Sequence, residues 1–322
     1  MPWIVCVVLV LAASPALAQE FFGLGGLVQG SSLHDSSYAW QLEYLEEMGE
    51  YGAVSLSYLN EGHLPDHHRD GTALTLWGRT TLLEKRLSLA AGGGAYLYYD
   101  TTAPPGGGGS YVDHGAGGML SLAATWHTES RWLFRLRTNW VKTGTSIDTF
   151  TTLLGIGYQL DLPSSSGARP PALSRREKQT NNEITLFFGE SILNRFDSEH
   201  GSALGIEYRR GLWRYLEWSA AWLYEGERSL YRRNSLATQL WGARTFFDDR
   251  LDLGFGAGPF VTVDHHRLPP QESDGRPLSA IVTMTGSWRF DPHWCLRASW
   301  SRIVTSYNQD ADLIFGGVGY RF

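Results

Sequence analysis

The sequence predicts an all-β chain: an antiparallel transmembrane β-barrel of about 16 strands, built from two eight-strand repeats. Three observations predict it. Apolar side chains alternate with a period of two, connections alternate between short and long, and the second half of the chain repeats the first.

The period is plain from Tyr38 to Tyr44. Tyr38, Trp40, Leu42 and Tyr44 share one face, and Ala39, Gln41 and Glu43 share the other. A strand with one apolar surface reads this way. Val54, Leu56 and Tyr58 against Ser55 and Ser57 repeat it, as do Trp132, Phe134, Leu136, Thr138 and Trp140 against Arg135, Arg137 and Asn139. The apolar stretches run about ten residues, the length a tilted strand needs to cross a bilayer. Composition agrees. Aromatic residues make up 13% of the chain, with 13 Trp and 15 Tyr, while charged residues are only 19%. Aromatic girdles around a membrane barrel use such side chains.

Short turns are expected near Glu46–Gly49, Leu83–Arg86 and Thr128–Arg131, and long external loops at Ser31–Ser37, Asn60–Gly71 and Thr101–His114. Short turns on one side of a membrane and longer loops on the other are the pattern of such barrels.

The repeat is visible in several places. "YLNEGH" at Tyr58–His63 matches "WLYEGE" at Trp222–Glu227, and "TALTLWGRT" at Thr72–Thr80 matches "LATQLWGAR" at Leu236–Arg244. "RLRTNWVKTGTS" at Arg135–Ser146 matches "CLRASWSRIVTS" at Cys295–Ser306, and "LLGIGYQL" matches "IFGGVGYRF". The units span 19–162 and 182–322, joined by a Ser-, Pro- and charge-rich periplasmic linker at 163–181. One 16-stranded barrel is favoured because merged strands leave no unpaired edges. The alternative is two tandem eight-stranded barrels, which the long linker favours. Width follows strand number: eight strands give a filled interior, about sixteen an aqueous channel.

Residues 1–18 read as a secretory signal peptide. Ile4–Ala13 is apolar, and Ala16-Leu-Ala18 forms a small-residue site with cleavage after Ala18. No Lys or Arg precedes the apolar run. Its removal leaves Cys295 alone, so no internal disulfide is expected. A mild net charge of -6 argues against nucleic acid as a partner, which would call for a basic patch.

The chain ends Leu313-Ile-Phe-Gly-Gly-Val-Gly-Tyr-Arg-Phe322, with Ile314, Val318, Tyr320 and Phe322 on one face. This resembles the closing strand of bacterial outer-membrane β-barrel proteins. The whole mature chain resembles that group in its general features. "NEGH…HHRDG" and "TSYNQDADLIFGGVGYRF" resemble segments of an uncharacterised family of such barrels. The resemblance implies a Gram-negative outer-membrane location, outer-membrane lipids and lipopolysaccharide as partners, and the barrel assembly machinery during insertion. It implies no activity.

Two groups of residues invite chemistry. Glu43 matches Glu207 and Arg137 matches Arg297, all on the inferred inner face. A Glu and an Arg inside a narrow barrel should pair, because a lone buried charge is costly. In an open pore they would form a selectivity ring. The second group is the polar stretch Glu61, His63, Asp66, His67, His68, Arg69 and Asp70. Carboxylates and imidazoles bind zinc or form acid–base pairs, but the spacing matches no metal motif. No metal or cofactor is expected. The second copy keeps Glu61 as Glu225 and Arg69 as Arg233, and loses every histidine, so a Glu–Arg contact at the loop base is the simpler account. Asp264-His265-His266 opens another external loop and is expected to be solvated. Thr145-Ser146 and Thr305-Ser306 lie at an external end beside Asp148 and Asp310 without a neighbouring histidine in sequence. The leading expectation is therefore a non-enzymatic barrel. It would be a pore if 16-stranded, or a structural or surface protein if the units close. A lipid A- or lipopolysaccharide-modifying hydrolase is the alternative.

Overall fold

The computed structural model describes residues 19–30, 35–103, 109–160, 182–195, 198–226, 231–267, 278–306 and 308–322. The expected signal segment 1–18 and linker 163–181 lie outside these residues. The described chain contains sixteen antiparallel strands and no helix. The first eight are β1 (Gln19–Gly30), β2 (Ser36–Glu47), β3 (Gly52–Leu64), β4 (His67–Leu82), β5 (Leu87–Thr102), β6 (Tyr111–His127), β7 (Trp132–Thr143) and β8 (Thr149–Gln159). The second eight are β9 (Asn182–Leu193), β10 (His200–Gly211), β11 (Leu216–Glu225), β12 (Tyr231–Phe246), β13 (Leu251–Arg267), β14 (Leu278–Arg289), β15 (Trp294–Val304) and β16 (Ala311–Arg321).

Each set closes on itself. β1 pairs with β2 on one side and β8 on the other, so Gly25 faces both Trp40 and Leu154. β9 pairs with β10 and β16, and Leu186 faces both Ile206 and Val318. Of the two arrangements open to the sequence, the structure has tandem eight-stranded barrels and not one 16-stranded barrel. Merging the repeats is unnecessary to remove edges, because β8 already pairs with the first strand of its own repeat. Glycines allow the close approach at each seam. A Cβ at Gly26 or Gly155 in one barrel, or at Gly189 in the other, would run into the backbone of the facing strand.

The amphipathicity is inside-out. Leu27, Leu122, Leu154 and Phe188 are each 63–66% exposed on the outer walls. Gln41, Glu43, Arg137 and Arg233 are at most 1% exposed in the interiors. A water-soluble barrel would reverse this, whereas hydrocarbon outside makes it favourable. Strands of 10–17 residues are long enough to span the apolar layer. Aromatic pairs recur on the wall near the short turns. Trp132 meets Tyr158 edge-on at 5.1 Å in the first barrel, and Trp294 meets Tyr320 at 4.9 Å in the second.

Two sequence expectations change. Asn60–Gly71 is not a long loop. β3 and β4 continue pairing to Leu64 and His67, through a bulge between Asn60 and His63 where Gly62 has φ +60°. A tight turn at Pro65-Asp66 closes the hairpin, with Asp66 at φ 58°. Likewise β13 runs on to Arg267, so the backbone of Asp264-His265-His266 is strand; the side chains there lie outside the described residues.

The second change concerns the match between β7 and β15. In the first barrel Ser121 faces both Gly92 and Asn139. In the second, Thr283 faces Gly256 and Ser301. Position by position, this register makes Arg135 the counterpart of Arg297, and Arg137 the counterpart of Ser299. The following turns agree: the Thr143 and Thr305 amides donate to Asp148 and Asp310 at 2.9 and 2.7 Å. The matched motifs are thus two residues out of structural register. A slip of two keeps every side chain on its face, so the alternation could not reveal it.

Candidate functional site

The polar groups converge inside the barrels, and their strands explain how. Alternate residues point inward, so one strand delivers Arg135, Arg137 and Asn139 to the lumen while Phe134, Leu136 and Trp140 face outward. In the first barrel Glu43 sits between two arginines. Arg137 Nη1 donates to it at 2.5 Å, and Arg135 Nη1 lies 3.4 Å away. Arg137 Nε and Nη2 also donate to Asn139 and Ser121 at 2.6 and 3.2 Å, and Asn139 donates to Gln41 and Thr151 at 3.2 and 2.8 Å. Both guanidiniums lie over the Trp77 ring, 5.1 and 4.8 Å from its centre, and the indole N–H donates to Ser55 at 2.8 Å. A Cβ on Gly92 would fall 2.6 Å from that indole, so the glycine makes room for it.

The second barrel solves the same packing with different residues. Trp241 donates to Ser219 at 2.9 Å, packs on Gly256, and carries Arg209 3.7 Å above its ring. The acidic hub moves. Arg297 donates to Glu183 at 2.6 Å and Arg321 donates to its other oxygen at 2.6 Å. Glu207 pairs with Arg209 at 2.9 Å. Of the sequence-derived lumen residues, the structure therefore joins Glu43 to Arg137, but gives Glu207 and Arg297 other partners. Glu183, Arg321, Arg135 and Arg209 were not singled out from sequence. The counterpart of Arg209 is Leu45, and that of Arg321 is Gln159, so the repeat carried no signal for these two, whereas Glu183 stands at the ladder position of Glu20.

The barrel ends opposite the β4–β5 and β12–β13 turns share one contact. Arg69 Nε donates to Glu61 at 2.5 Å, and Arg233 is bidentate to Glu225 at 2.5 and 2.7 Å. Arg69 further ties down the β7–β8 turn through Ser146 (3.1 Å), the Ile147 carbonyl and Thr149 (2.7 Å). Tyr96 donates to Glu61 at 3.0 Å.

The histidine-containing stretch is divided rather than assembled. His67 faces inward with Arg69 and bonds Asp100 at 2.7 Å. His63 and His68 face each other across β3 and β4, with ring centres 4.2 Å apart, and Tyr38 lies edge-on to His63 at 6.0 Å. Asp70 is the buried partner of Asn60 in the ladder. Among the described residues, no group of three or more His, Cys, Asp or Glu side chains is placed to hold a metal ion. Ser146 donates to Asp100 at 2.6 Å, on the same oxygen that His67 engages. The order is serine–carboxylate–imidazole. A nucleophilic serine needs the imidazole next to the hydroxyl.

No protein-family model matches the chain, and no curated protein matches its sequence. Among solved structures, it is similar to Ail, the attachment invasion locus protein of Yersinia pestis, at 14% identity over 44% of this chain and 96% of that one, with a TM-score of 0.34. It is also similar to a Pseudomonas aeruginosa FadL homologue (11% identity, 95% and 90% covered, TM-score 0.26). A third match is an outer membrane channel from Pseudomonas putida F1 (13% identity, 96% of each chain, TM-score 0.23). At these scores the matches carry no functional weight.

Proposed function

We propose that this chain is an exported outer-membrane protein whose two barrels are closed, non-enzymatic and non-conducting, with a structural or surface role. The observation that carries this reading is the filled lumen. In each barrel an indole seated on a glycine and a buried carboxylate hub occupy the cross-section, with Arg135 and Arg137 over the Trp77 ring and Arg209 over the Trp241 ring. Eight strands leave an interior that side chains fill. The inside-out surface supports the membrane location, and the small-residue site before Gln19 supports export with cleavage after Ala18. Outer-membrane lipids and lipopolysaccharide would meet the apolar walls, and the assembly machinery would insert them.

The test has two readouts on the same protein. Purified full-length chain in planar bilayers is expected to give no stepwise conductance. Lipid A from cells expressing it, or its His67→Ala variant, is expected to have one unchanged mass. Regular conductance steps would replace this reading with a pore, and a His67-dependent mass change would replace it with a hydrolase.

A further inference from the structure

The outer wall of the first barrel has a groove of about 680 Å³ across β4–β7, lined by Gly78, Leu89, Ala91, Leu122, Leu136 and Thr138 among others. Its floor is small residues and its walls are leucines that are 40–63% exposed. Gly78, Ala91, Leu122 and Thr138 form one ladder across the four strands. At the corresponding ladder of the second barrel stand Gly242, Phe255, Met284 and Trp300. Phe255 and Trp300 thus take the places of Ala91 and Thr138. The concavity belongs to the first barrel's sequence and is not demanded by closing eight strands.

A second difference lies in the turn that joins β4 and β5, beyond the groove residues Thr80 and Leu89. The β4–β5 turn carries Glu84-Lys85-Arg86, and its counterpart between β12 and β13 carries Asp248-Asp249-Arg250. Both turns hold three successive residues at positive φ, Leu83–Lys85 and Phe247–Asp249. One backbone therefore presents two basic residues and one acidic residue in the first barrel, where the second barrel presents two acidic residues and one basic. Lys85 is exposed, and Arg86 is half-exposed with Glu129 at 3.0 Å. Long-chain hydrocarbon fits a furrow of small residues on a hydrocarbon-facing wall, and Lys in the turn beyond it fits an anionic headgroup at the interface.

We infer that the first barrel binds one anionic phospholipid, with an acyl chain in the Gly78–Thr138 groove and its phosphate at Lys85 and Arg86. This rests on the membrane reading above, and the two fail differently: a chain that does not fold into micelles as a barrel defeats that reading, whereas a folded barrel without lipid defeats this one. The experiment is native mass spectrometry of the full chain in detergent micelles, titrated with phosphatidylglycerol or phosphatidylethanolamine. One phosphatidylglycerol is expected to be retained, with at least tenfold weaker retention of phosphatidylethanolamine. The double substitution Ala91→Phe/Thr138→Trp, which installs the second barrel's residues, is expected to weaken phosphatidylglycerol retention at least tenfold. Lys85→Asp, on an exposed turn whose counterpart is already Asp249, is expected to weaken it several-fold while leaving the groove intact. Should the double variant not fold, Lys85→Asp and the headgroup comparison decide alone. Equal retention of both lipids, or by wild type and variants, would overturn the proposal. A wild-type dimer that the groove-filling variant dissociates would overturn it in favour of a second copy as the occupant.

Discussion

Replacing Glu43 with leucine is expected to destabilise the first barrel by about 3–5 kcal/mol, the range for removing one partner of a buried ion pair. Glu43 is 1% exposed and Arg137 fully buried, and Arg135 is 2% exposed. Without the carboxylate, two guanidiniums face each other in a filled lumen. Arg137 keeps Asn139 and Ser121, and Arg135 keeps the faces of Phe22 and Trp77, at 4.5 and 5.1 Å. These contacts orient the arginines but do not neutralise them. Urea unfolding in lipid vesicles gives the loss, and peptide-resolved hydrogen exchange assigns it to β1–β8. The double variant Glu43→Leu/Arg137→Met is expected to recover most of it, because apolar replacements of both partners restore balance. A loss below about 1 kcal/mol for the single variant would show that the arginines reach water and behave as a surface pair.

Trp241→Ala is expected to cost the second barrel about 3–5 kcal/mol, the usual range for truncating a buried tryptophan. The indole is 1% exposed and fills the space above Gly256. Its loss leaves a cavity, strips Arg209 of the ring beneath it, and removes the donor to Ser219. The same unfolding measurement reads it, with the exchange signature confined to β9–β16. If Trp241→Phe costs as much as Trp241→Ala, the hydrogen bond to Ser219 dominates over the packing. If neither variant lowers the midpoint, the lumen is not held by the indole, and the filled-barrel account fails with it.

How far the sequence disclosed this architecture depends on the range of each interaction. Alternation is local, so the faces of β2 and β7, the inward Glu43 and Arg137, and the outward-facing leucines were all legible. Strand closure is not local. That β8 pairs with β1 rather than β9 is a contact between segments more than a hundred residues apart in sequence, and no periodicity records it. Register was half legible. The repeat placed Trp77 against Trp241 and Glu61 against Glu225 correctly, but set Arg137 against Arg297, where the ladders equate Arg135 with Arg297. The arginine in each motif points inward either way, so only the hydrogen-bond ladder separates the two matches. The hairpin from Asn60 to Gly71 was hidden for another reason. Its His, Asp and Arg residues have the composition of a solvated loop, yet Arg69 and Glu61 are buried by pairing with each other. Asp100 illustrates the remaining limit: it meets His67 from the neighbouring strand and Ser146 from a distant turn, a combination no linear spacing encodes.

The central claim is that each repeat closes on itself, and cysteine pairs across the seams test it most directly. Leu27 faces Thr152 across β1–β8, and Leu186 faces Val318 across β9–β16, all outside the lumen. Facing positions on paired strands fall within disulfide reach. In a Cys295→Ser background, Leu27→Cys/Thr152→Cys and Leu186→Cys/Val318→Cys are each expected to oxidise quantitatively in the folded protein. After proteolysis within 163–181, the two fragments are expected to carry their own disulfide. Oxidation instead of the mixed pairs Leu27→Cys/Val318→Cys and Thr152→Cys/Leu186→Cys, with fragments that stay covalently joined after the cut, would contradict closure and restore a single 16-stranded barrel.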